Sequence, residues 1–78
     1  MKYPIRYYIK YETSDYEYPH LVRGIFKYLD TAMSKVEELK QDRMVTKIVM
    51  KVSHEKHTAV KCYVWDKGFE VIYTKYLI

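Results

Sequence analysis

The sequence predicts an α+β domain in which one helix lies on one face of a four- to five-stranded, mainly antiparallel sheet, and the last three strands form a meander. Three features carry this expectation. The opening segment alternates apolar and polar residues, a central segment repeats its apolar residues at helical spacing, and the C-terminal third holds three apolar runs separated by turn residues. At 78 residues the chain makes a single domain, 1–78. Its 49% apolar and 31% charged residues are the balance of a folding chain rather than a disordered one. A domain of this length has about 4 to 12 kcal/mol of net stability, which leaves little to spare for a deep, strained active site.

The elements follow in order. From Ile5 to Glu12, Ile5, Tyr7, Ile9 and Tyr11 alternate with Arg6, Tyr8, Lys10 and Glu12, the pattern of a half-buried strand. Ser14, Asp15 and Pro19 break that period and place a turn over Thr13 to Pro19. Residues 20–27 read either as a strand or as the start of a long helix. Gly24 inside a helix would cost about 1 kcal/mol, so a strand to Lys27 followed by a helix from Leu29 to Asp42 is the better reading. Val36 and Leu39 then face the core, while Glu37, Glu38 and Lys40 face water. Val45 to His54, Thr58 to Trp65 and Phe69 to Ile78 are the three closing strands. Ser53 to His57 forms the first turn between them, and Asp66-Lys67-Gly68 suggests a three-residue hairpin for the second. The expected core is Ile9, Val36, Leu39, Ile48, Met50, Val60, Cys62 and Val64.

Composition narrows the chemistry. The single cysteine, Cys62, excludes an intrachain disulfide framework and favours a reducing, cytoplasmic setting. No apolar run approaches the roughly 18 residues that span a bilayer, and Lys2, Arg6 and Lys10 interrupt the first apolar pattern, so neither an anchor nor a signal peptide is expected. The net charge of +4 is a mild basic bias, compatible with an acidic protein or nucleic acid. Ten tyrosines beside only two glycines and two prolines suggest AT-rich coding DNA, as in low-GC bacteria and their phages or mobile elements.

Catalytic and cofactor motifs are missing from the sequence, and no enzyme activity or cofactor is expected. His54, Glu55, His57 and Cys62 invite a zinc reading, but His-Glu-Lys-His lacks the spacing of the metalloprotease helix and sits in an expected turn, so no metal site is assigned. Cys62 has no nearby base, and Ser14, Ser34 and Ser53 occupy turn or helix-surface contexts. Glu37 and Glu38 are adjacent on a helix and point in different directions. Gly24 and Gly68 cannot make a phosphate-binding loop.

One helix covers one sheet face, so the other face is the candidate working surface. The expected alternation collects Arg6, Tyr8, Lys10, Lys47, Lys51, Lys61, Tyr63, Trp65 and Tyr73 there, with Lys75 beside them. Aromatic rings with basic side chains suit a protein interface, including that of a homodimer. The leading expectation is a non-catalytic binding protein, an inhibitor or adaptor acting on a protein partner such as a phage product acts on a host or defence protein, with Trp65 and Tyr63 as anchors. The alternative is a single-stranded RNA or DNA binder that stacks bases on Tyr and Trp and tracks phosphates with Lys.

Overall fold

The computed structural model describes residues 5–15, 20–53 and 60–76. The chain runs through strands β1 (Arg6–Thr13) and β2 (His20–Phe26), helix α1 (Leu29–Lys40), strands β3 (Val45–Ser53), β4 (Val60–Asp66) and β5 (Phe69–Ile72), and a closing 3-10 turn at Thr74–Tyr76. The five strands form one open antiparallel sheet in the order β2-β1-β3-β4-β5. The expected class, the single helix and the meander β3-β4-β5 are therefore all present.

Both β2 and β3 run antiparallel to β1, so they run parallel to each other with β1 between them. A parallel pair needs a crossover connection, and α1 supplies it, which carries the helix across the sheet. Ala32, Val36 and Leu39 recur at helical spacing and are buried, with Leu29 and Met33 half-buried beside them. Tyr28 is the extended N-cap, Asp30 lies in the first turn and Lys40 in the last, charges that suit the helix dipole. The helix ends at Gln41, and Asp42 accepts the Met44 amide at 2.9 Å to turn the chain into β3.

Residues 20–26 are strand, and Gly24 is the reason a helix fails there. Its φ of +148° is open to glycine alone, and a Cβ would meet the Phe26 ring at 3.3 Å. The register slips here: Ile9 faces Gly24 and Lys10 faces Val22, leaving Arg23 as a bulge.

On the helix side, Tyr7, Ile9, Val36, Leu39, Ile48, Met50, Val52, Cys62 and Tyr63 are buried, and Val60 packs against them half-buried. Seven of the eight expected core residues are thus in place. Val64 is the exception, because β4 bulges. Val52 faces Val60, Met50 faces Tyr63, and Lys51 faces Lys61, so Cys62 is an extra residue. Val60 and Tyr63, three apart, can both point at the helix only if one residue is inserted between them. Cys62 is small enough to be tucked in, and its thiol donates to the Met50 carbonyl at 3.4 Å. Beyond the bulge the faces exchange: Tyr63 and Trp65 turn toward the helix side and Val64 toward the open side.

The β4–β5 hairpin is also one residue tighter than expected. Asp66 faces Phe69 and Trp65 faces Glu70. Lys67 at φ 49° and Gly68 at φ 91° form a two-residue turn with both φ positive, the twist that suits a right-handed hairpin. The turn expected over Ser53 to His57 lies largely outside the described residues.

Candidate functional site

The open face is arranged in cross-strand rows fixed by the register. One row runs Ile25, Tyr8, Lys51, Lys61. The next runs Val22, Lys10, Val49, Val64, Val71 across all five strands. A third runs His20, Glu12, Lys47, Asp66, Phe69. Arg6 closes the face beside Ser53, whose hydroxyl accepts the Arg6 amide at 3.2 Å. An aliphatic stripe therefore lies between lysines on one side and a mixed-charge row on the other.

A groove of about 350 Å³ opens on this face, lined by Lys10, Lys47, Lys51 and Lys61 together with Val22 and Val49. Its electrostatics are uneven. Lys47 reaches Glu12 at 3.9 Å and His20 reaches the same carboxylate at 3.7 Å. Among the described residues, Lys10, Lys51 and Lys61 make no ion pair. Lys51 stands directly opposite Lys61, and like charges facing each other across a ladder oppose pairing. An anion placed over the two would offset that repulsion.

Of the residues assigned to this face from sequence, Arg6, Tyr8, Lys10, Lys47, Lys51 and Lys61 are there. Tyr63 and Trp65 are not, since the Cys62 bulge turns them to the helix side, where Tyr63 is fully buried and Trp65 packs half-buried against the core. Tyr73 lies past the end of β5, its amide bound to the Cys62 carbonyl at 2.9 Å. The valine row was only partly legible in the sequence: Val49 stands out as the odd member between Lys47 and Lys51, and alternation along the last strand puts Val71 on the same face, whereas the bulge hid Val64 and the shorter turn hid its pairing with Val71.

Tyr63 instead joins a polar cluster at the helix C-terminus. Its hydroxyl donates to Glu70 Oε1 at 2.5 Å, and Lys40 Nζ donates to the same oxygen at 2.8 Å and to Glu37 at 3.1 Å. Lys40 Nζ also sits 5.4 Å from the Tyr63 ring centroid. Burial works to lower the Lys40 pKa, but its bonds to Glu70, Tyr63 and Glu37 outweigh it and raise it. The bond from Lys40 holds the Glu70 carboxyl below its ordinary value. This cluster clamps β5 to the helix. Burial pushes the Tyr63 hydroxyl up to about 12, and the Cys62 thiol, outside this cluster, up to about 11.

Among the described residues no three His, Cys, Asp or Glu side chains gather as a metal site; His54, Glu55 and His57 lie outside those residues. No helix among them is long and apolar enough to cross a membrane. Comparison with protein-family models, curated proteins and solved structures finds no match to the chain.

Proposed function

We propose that the chain is a non-catalytic binding protein, an inhibitor or adaptor, that docks its open sheet face on an acidic surface of a protein partner. The observation that carries this reading is the valine row bordered by Lys10, Lys51 and Lys61, cations without ion pairs among the described residues. Aliphatic side chains supply the desolvated centre of an interface, and the lysines around them select an acidic partner and steer its approach. A single-stranded nucleic acid is the weaker candidate, because with Tyr63 and Trp65 turned to the helix side the face keeps Tyr8 as its central ring and Phe69 at its margin.

The test is recovery of partners from the native host with the wild-type chain and with Lys51→Glu/Lys61→Glu. A protein retained by the wild type and lost from the charge-reversed variant is the expected result. Recovery of nucleic acid, with affinity falling steeply as salt rises, would overturn the reading. So would equal recovery of the same protein by both forms.

A further inference from the structure

The two edges of the sheet are treated differently. β2 is protected in the usual ways: it is kinked by the Arg23 bulge and the positive-φ Gly24, and it carries His20 and Arg23. β5 has neither a bulge nor proline, and its one charged residue, Glu70, is held over the helix side by Lys40 and Tyr63. Apolar side chains are exposed along it: Phe69 at 80%, Val71 and Ile72 at 47% each, and Tyr73 at 39%. Among the described residues nothing pairs with its outer side.

We propose that β5 is a self-association edge, where a second copy of this chain adds its own β5 antiparallel to form a continuous ten-stranded sheet. The backbone sets the register. The Tyr73 amide points inward to Cys62, so strict alternation turns the N–H and C=O groups of Glu70 and Ile72 outward. Centring the two-fold axis on Val71 places Glu70 of one copy opposite Ile72 of the other, and each such pair exchanges two hydrogen bonds. Every outward group of the strand is then satisfied by its own counterpart, which an isologous contact requires. On the open face Val71 meets its symmetry mate, and beyond it Phe69 comes opposite Tyr73, the residue that follows the strand. The Glu70 carboxylates stay with Lys40 and do not meet as loose charges. The valine rows of the two copies become one row across the dimer. A pairing of five residues per chain is a small interface, so the dimer forms at roughly micromolar to millimolar protein.

Sedimentation over that concentration range tests it, using the wild type, Val71→Lys and Val71→Glu. The wild type is expected to shift from monomer to dimer. Each variant alone places like charges at the two-fold axis and stays monomeric, while an equimolar mixture of the two recovers the dimer. Phe69→Lys, at the most exposed position, serves as a second disrupting variant should Val71 changes unfold the chain. A wild type that remains monomeric throughout, or a dimer indifferent to both positions, would overturn the proposal.

Discussion

Tyr63 is the residue whose role changes most between sequence and structure. Period-two alternation from Val60 assigns it to water, and a single inserted residue puts it in the core. Nothing in the sequence marks Cys62 as that insertion, because the bulge is decided by which ring fills the space beside Met50. Burial raises the Cys62 thiol from its ordinary 9.0 to about 11, and burial together with the bond to Glu70 raises Tyr63 from 10.0 to about 12, against the pull of Lys40. In each case the unfolded chain releases its proton before the folded one. The stability they contribute is therefore complete below pH 9 and is lost as pH climbs from 9 to 12. Urea midpoints measured across that window should fall for the wild type, and Tyr63→Phe should make the upper part of the fall shallower, with Lys40, whose own pKa is raised, supplying the remainder; a wild-type profile flat to pH 12 contradicts the burial of both groups. Cys62 should also resist thiol reagents in the native state and react only as fast as the chain unfolds.

At the scale of elements, the strands, the helix and the meander were legible because alternation and helical spacing are strong where no residue is inserted. Registers were not, since bulges at Arg23, Thr46 and Cys62 come from tertiary fit. Two glycines test the local geometry. Gly24→Ala would place a Cβ against the Phe26 ring at an unfavourable positive φ, and Gly68→Ala would strain the hairpin turn; each should cost about 1 to 3 kcal/mol in chemical denaturation. Wild-type stability in Gly24→Ala would mean that β2 does not bulge as described. Leu39→Ala and Ile48→Ala, one from each layer of the core, should each cost about 2 to 5 kcal/mol. A mild effect at both sites would mean that the helix lies on the other face. Trp65→Ala should now read as a loss of packing at the core margin rather than as a lost contact anchor.

For the whole molecule, the idea that a one-helix sheet leaves a working face was available from the element count, and six of the nine residues named for that face lie on it. Its chemistry was not available, because it depends on Val49, Val64 and Val71 lining up across three strands. The face that results is aliphatic and basic, which favours an acidic protein over stacked bases. Site-specific photocrosslinking in the native host measures this most directly, with the probe at Val22 or Lys61 on the open face and at Ser34 or Gln41 on the exposed side of the helix layer. Val22 and Lys61 are expected to crosslink to one protein partner, and Ser34 and Gln41 are not. Crosslinks confined to the helix positions, or to nucleic acid at the sheet positions, would contradict this expectation.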